Sequence, residues 1–205
     1  MSLLRTFIAV ELPLDIRKTV CAATSKLQNQ VGGLVRWVPV ENMHLTLKFL
    51  GDVSPSNMDL LSGMLRAETD LFHCFDLRLI GLGSFPSLKR PRVLYIGIQA
   101  PAVLESLQRG IESAAHRLGY ESEERSFSPH LTIGRVKQNA TVTEQQMIRR
   151  ALEETKIDSL GTTKVDSVEL FKSDLSPTGS VYTRLFSAPL KKVSHKDTEN
   201  TEKSR

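Results

Sequence analysis

The tetrapeptides His44-Leu45-Thr46-Leu47 and His130-Leu131-Thr132-Ile133 each place an imidazole and a hydroxyl two residues apart, between apolar neighbours. In a β-strand side chains alternate faces, so His44 and Thr46 share one surface while Leu45 and Leu47 anchor it from behind. The same parity groups His130 with Thr132 against Leu131 and Ile133. Five histidines and fifteen threonines in 205 residues produce roughly a third of one His-x-Thr by chance. One copy says little; two with matching flanks say more. Histidine's unperturbed pKa of ~6.5 lets one imidazole be neutral while another is protonated. The neutral ring can take a proton from an attacking water as the charged one gives a proton to a leaving alkoxide. In-line displacement at phosphorus needs that pair on opposite sides, with donors such as threonine hydroxyls for the non-bridging oxygens. A strained cyclic phosphodiester suits such a set, because its leaving group departs without a metal.

The two motifs fall at matching points of an internal repeat over residues 4–82 and 92–172. The first copy reads as a strand over 4–11, then a helix opened by Pro13 with a stripe of Ile16, Val20, Ala23, Leu27 and Val31. A short strand over 35–38, the His44 strand, a helix begun by Ser54-Pro55 and a strand over 75–82 complete that copy. The second copy reads as a strand over 92–99 and a helix opened by Pro101 and closed by Gly119. The His130 strand, a helix with a capping box from Thr143 to Gln146 and a strand over 165–171 complete it. A last strand is expected over 181–188. The two histidines stand 86 residues apart. Two such units about a pseudo-two-fold axis would turn both His-x-Thr faces toward one cleft.

The tetrapeptides, with Arg5-Thr6-Phe7-Ile8-Ala9-Val10 ahead of them, resemble the two-histidine phosphoesterase superfamily. Trp37-Val38-Pro39, Phe49-Leu50-Gly51 and Ser128-Pro129 make the chain similar to the bacterial and archaeal RNA 2′,3′-cyclic phosphodiesterases, also called 2′-5′ RNA ligases. The resemblance runs from about residue 4 to 190. It implies a bilobal α+β fold, two pseudo-symmetric lobes with antiparallel sheets lining a central cleft and helices outside. It also implies metal-independent, cofactor-free hydrolysis of an RNA 2′,3′-cyclic phosphate end to a 2′-phosphomonoester, and the reverse 2′-5′ ligation. His44 maps onto the proton donor to the departing 3′-oxygen and His130 onto the acceptor that activates water. Thr46 and Thr132 map onto phosphate contacts, and Arg135 onto the family's arginine five residues after the second histidine. Strand parity by itself points Arg135 away from His130, though Gly134 would permit a bulge that re-aims it. Parity places Phe49 in the core with Leu45 and Leu47. Two other readings stay open: a phosphodiesterase for a small cyclic phosphate such as a nucleotide or ADP-ribose derivative, and a non-catalytic RNA- or nucleotide-binding module.

His73, His116 and His195 lack the motif's context and read as surface residues. No His-x-x-x-His, Cys-x-x-Cys or carboxylate cluster accompanies the motifs to suggest a metal. The net charge of +4 suits an anionic partner, but the segment 191–205 contributes +2 of it. Lys89, Arg90 and Arg92 form a local basic cluster that reads equally as a groove for RNA phosphates or as a solvated turn, and Trp37 or Phe127 would flank a terminal base or join the core. With 40% hydrophobic residues, the chain can bury one two-lobed domain over 1–190, followed by a charged, disordered tail over 191–205. Cys21 and Cys74 read as reduced and buried. Without a signal peptide or a membrane-length apolar run, a cytoplasmic monomer is expected.

Overall fold

A computed structural model of the chain describes residues 2–176 and 179–192. Strand β1 (Leu4–Glu11) enters the core through Ile8 and Val10. Helix α1 (Leu14–Val31) starts after Pro13 and buries Val20, Leu27 and Val31, the apolar stripe of the 3.6-residue period. Strands β2 (Val35–Trp37) and β3 (His44–Val53) come next, the latter carrying the first motif. A single 3₁₀ turn capped by the Ser54 hydroxyl leads into α2 (Met58–Thr69). Strands β4 (Phe75–Ser87) and β5 (Arg90–Gln99) form a hairpin before α3 (Ala102–Arg117). The chain then forms β6 (His130–Val136) with the second motif, α4 (Val142–Glu154), and β7 (Ser159–Val165), β8 (Ser167–Ser176) and β9 (Gly179–Pro189).

The strands build two antiparallel sheets, one ordered β3-β1-β8-β9 and the other β2-β6-β5-β4-β7. Helices α2 and α3 pack together on the first sheet, while α1 and α4 pack together on the second. The repeats do not correspond to the lobes. Strand β4 closes the first repeat yet pairs with β5, and β8 closes the second yet pairs with β1. Each sheet thus draws strands from both halves of the chain. Strands β3 and β6 meet across the two sheets, which brings the motif strands side by side.

Several boundaries differ from the sequence reading. The capping box is Thr141 with Glu144, two residues earlier than expected; the Thr141 hydroxyl accepts from the Glu144 N–H while the Glu144 carboxylate accepts from the Thr141 N–H. Strand β7 has no counterpart in the sequence reading, because Ser159-Leu-Gly-Thr-Thr-Lys-Val carries too few apolar residues to mark an edge strand. Cys21 and Cys74 are free thiols, but both keep partial exposure instead of being buried. Lys191, assigned to the tail, exchanges backbone hydrogen bonds with Phe72 and Cys74; His195 and the rest of the tail from residue 193 lie outside the described residues. Among the described residues no helix is long and apolar enough to cross a membrane.

One buried charge ties the two motif segments together. Lys48 on β3 is 4% exposed. Its ammonium donates to Glu112 Oε1 on α3 at 2.6 Å and to the Glu121 carbonyl at 2.7 Å. The same Glu112 oxygen accepts from the Glu123 N–H, so the pair holds the segment that leads into β6. Removing one partner strands a charge in the interior, which costs about 3–5 kcal/mol. Glu112→Ala is therefore expected to lower the urea-unfolding free energy by about that amount, whereas Lys48→Met with Glu112→Leu restores most of it.

Candidate active site

The backbone just ahead of each motif strand dictates where its histidine points. His44 Nδ1 lies 2.8 Å from the Asn42 carbonyl and His130 Nδ1 lies 2.7 Å from the Ser128 carbonyl. A carbonyl only accepts, so Nδ1 carries the hydrogen in both rings and the Nε2 lone pair of each neutral imidazole is left for chemistry. The two bonds are the same device, used at two sites 86 residues apart. Thr46 and Thr132 are half-buried like their histidines, with buried Leu45, Leu47, Leu131 and Ile133 on the opposite face.

Each motif strand then takes a β-bulge at the third residue after its histidine. On β3, Ala9 faces Thr46 and the adjacent Ile8 faces Lys48, so Leu47 is the extra residue. On β6, Tyr95 faces Thr132 and Leu94 faces Gly134, so Ile133 is extra. A bulge reverses the facing parity of the residues beyond it. Arg135 is consequently exposed beside the histidine face, and its charge reaches both His130 and His44. Phe49, at the equivalent point of the first motif, is 61% exposed and its ring lies 6.1 Å from Phe7. The expectation that Phe49 sits in the core is overturned for this reason: the bulge sends Lys48 inward in its place. At Gly134 the second strand pairs with Trp37 of β2, and a Cβ there would come within 2.6 Å of Val35 and 3.0 Å of the Trp37 ring.

Aromatic rings enclose both imidazoles. Phe7 stacks on His44 at 4.7 Å, and Tyr182 meets it edge-on at 5.2 Å. Phe85 and Tyr95 meet His130 edge-on at 4.9 and 5.4 Å. Tyr95 crosses β4 at Gly83, where a Cβ would lie 2.5 Å from the ring. Phe85 and Phe171 are themselves 86 residues apart, a spacing that matches the histidines and could have revealed them. Trp37 and Phe127 are partly buried against the core. Lys89, Arg90 and Arg92 are exposed, as are His73 and His116.

Burial in this aromatic setting pushes the His44 imidazole down to about 4, with the charges of Arg135 and His130 adding to the depression against the Asn42 hydrogen bond. His130 is lowered too, first by burial, then by Arg135. The same charges oppose protonation of the rings, and an anion placed beside them would act in the opposite direction. A cleft of about 210 Å³ opens beside His44, lined by Glu11, Glu41, Met43, Phe171, Tyr182 and Arg184. Among the described residues no three His, Cys, Asp or Glu side chains converge as a metal site.

Comparison with known proteins gives this arrangement its context. The sequence matches the LigT-like phosphoesterase family over residues 10–95 and again over residues 96–182. The chain belongs to this family. It is 31% identical over 179 residues to the RNA 2′,3′-cyclic phosphodiesterase of Methanothermobacter thermautotrophicus, covering 87% of this chain and 95% of that one. A protein of the same name from Thermotoga maritima is 31% identical, with 89% and 94% covered. Among solved structures, a Thermus thermophilus protein aligns with a TM-score of 0.77 at 26% identity, covering 93% of this chain and all of that one. The E. coli LigT protein, crystallised with 3′-AMP, aligns with a TM-score of 0.71 at 28% identity, covering 92% and 98%.

Titration of the two imidazoles by NMR is expected to place both below 6.5, His44 near 4, in the free protein. Inorganic phosphate should raise both, and Arg135→Gln should raise them modestly without ligand. Because the folded state holds its proton on His44 less tightly than the unfolded state does, the unfolded chain gains protons as pH falls from 6.5 to 4. His44 accordingly costs the fold up to about 3 kcal/mol across that window, and His44→Gln is expected to flatten the loss in a pH series of unfolding curves.

Proposed function

We propose that this protein hydrolyses the 2′,3′-cyclic phosphate at an RNA 3′ end to a 2′-phosphomonoester, using His44 and His130 as acid and base. The observation that carries this is the matched pair of Nδ1-tethered imidazoles with Arg135 in electrostatic reach of both. His130 Nε2 removes a proton from water as the water oxygen bonds to phosphorus. The bond from phosphorus to the 3′-oxygen breaks, and His44 Nε2–H delivers the proton that the departing oxygen needs. The phosphate remains on the 2′-oxygen, and exchange with solvent resets the two rings. Thr46, Thr132 and Arg135 hold the non-bridging oxygens as charge develops on them. Phe49, exposed beyond the motif, offers a platform for the terminal base. With a 5′-hydroxyl in place of water, the same pair of rings joins it to the cyclic phosphate and makes a 2′-5′ linkage.

The low proton affinity of His44 in the free protein has a use in this scheme. A bound phosphate anion raises that affinity, so protonation of His44 is tied to the presence of substrate. No metal is assigned a part, since the acid, the base and the positive charge are all side chains.

Incubation with an RNA ending in a 2′,3′-cyclic phosphate should yield a 2′-phosphate, identified by its resistance to a 3′-specific phosphatase; a 3′-phosphate product would overturn the assignment of roles. His44→Ala and His130→Ala are each expected to lower kcat by about 100- to 10,000-fold, and EDTA to leave the rate unchanged. The pH profile of kcat/KM should be a bell with both limbs at or below the ordinary histidine value, because it reports the free enzyme. The kcat profile, which reports the anion-bound state, should be displaced to higher pH.

A further inference from the structure

The two halves of the cleft are equivalent in their histidines, threonines and in Phe85 and Phe171, but not in what stands beyond them. In the second sheet β7 pairs with β4 only over Phe75 to Ile80, short of Phe85. In the first sheet β9 pairs with β8 along its whole length, past Phe171 to Ser176. Strand β9 therefore adds a wall on the His44 side that the His130 side lacks, and this wall contributes Tyr182 and Arg184 to the cleft beside His44. A duplicated acid–base pair needs no such addition. An asymmetric substrate does.

Given the roles proposed above, that asymmetry has a direction. The 3′-oxygen leaves toward His44, so the ribose bearing it, and the RNA strand attached to that ribose, lie on the His44 side. The terminal cyclic phosphate is provided for by Thr46, Thr132 and Arg135. Arg184, on β9, is a further cation in the cleft. Its guanidinium touches Glu11 Oε2 through one nitrogen at 3.4 Å while remaining 57% exposed, a weak surface pairing that orients it without consuming its other donors. Glu11 is steadied in turn by Arg17 at 3.4 Å. A mononucleotide substrate has no second anion to offer Arg184, whereas an oligonucleotide has the phosphodiester that joins its last two residues.

We propose that the cleft lined by Tyr182, Arg184 and Glu41 is a subsite for the penultimate nucleotide of the RNA. It rests on the phosphodiesterase reading and adds to it a set of contacts for the nucleotide next to the RNA end. Arg184 contacts the internucleotide phosphate, Tyr182 presents an aromatic surface to the penultimate base, and the exposed Glu41 carboxylate accepts from a 2′-hydroxyl or an exocyclic amine. Asn42 braces the site: its side-chain amide donates to the Ser180 carbonyl on β9 at 2.7 Å, while its own carbonyl holds His44. The subsite and the proton donor are thereby fixed to one another.

The test compares kcat/KM for a nucleoside 2′,3′-cyclic phosphate and for a dinucleotide ending in the same group, in one preparation of each protein. Taking the ratio cancels any inactive fraction. The parent protein should favour the dinucleotide, Arg184→Ala should reduce that preference about tenfold, and Arg184→Lys should keep part of it. Tyr182→Leu should erase the difference between a dinucleotide with a penultimate base and one abasic there. A parent that treats both substrates alike, or a preference untouched by Arg184→Ala, overturns the subsite while leaving the phosphodiesterase reading intact. Failure to hydrolyse either substrate removes both.

Discussion

The hydrogen bond from each histidine's Nδ1 to the carbonyl two residues before it is the interaction on which the cleft depends. It decides the tautomer, aims Nε2, and does both with backbone that the chain supplies in any case. A side-chain partner, such as a carboxylate, would have raised the basicity of the ring and added a negative charge beside it. A neutral carbonyl fixes the orientation and leaves the electrostatics to Arg135. The result is a pair of imidazoles held below the ordinary histidine range by burial and by the nearby guanidinium.

The bulges after the motifs govern a second layer. A regular strand would bury Arg135 and Phe49 behind the histidines and expose Lys48. One extra residue at Leu47 and one at Ile133 exchange these fates. Arg135 gains access to both imidazoles, Phe49 comes to the surface, and Lys48 turns inward to meet Glu112. The same local irregularity therefore supplies a cation to the cleft in one lobe and an aromatic in the other, with a buried ion pair as a by-product. The backbone device is common to both copies while the side chains on it differ.

How much of this is legible in the chain depends on the range of the interaction involved. A run of β-prone apolar residues marks β1 to its ends, and the apolar stripe of α1 and the prolines before α1 and α3 mark the helices, because these signals are local. The 86-residue spacing discloses the repeat and both motifs. Neither bulge is visible, since Leu47 and Ile133 are ordinary strand residues, and the extra residue is defined only by the partner strand. Gly134 hints at the second bulge but nothing hints at the first, so parity misplaces Phe49 while leaving a route for Arg135. Tyr182 and Arg184 escape sequence reasoning for a related reason. Their importance comes from the long-range pairing of β8 with β1, which sets the β8–β9 hairpin beside His44 and has no signature within β9.

The exchange of strands between the sheets carries a consequence for the chain's divisibility. A break at the β4–β5 turn would leave β1 to β4 in one fragment and β5 to β9 in the other, each holding part of both sheets. Neither fragment contains a complete sheet. The bilobed shape suggests two modules joined by a hinge, but the connectivity describes a single cooperative body in which each half is scaffolding for the other's histidine.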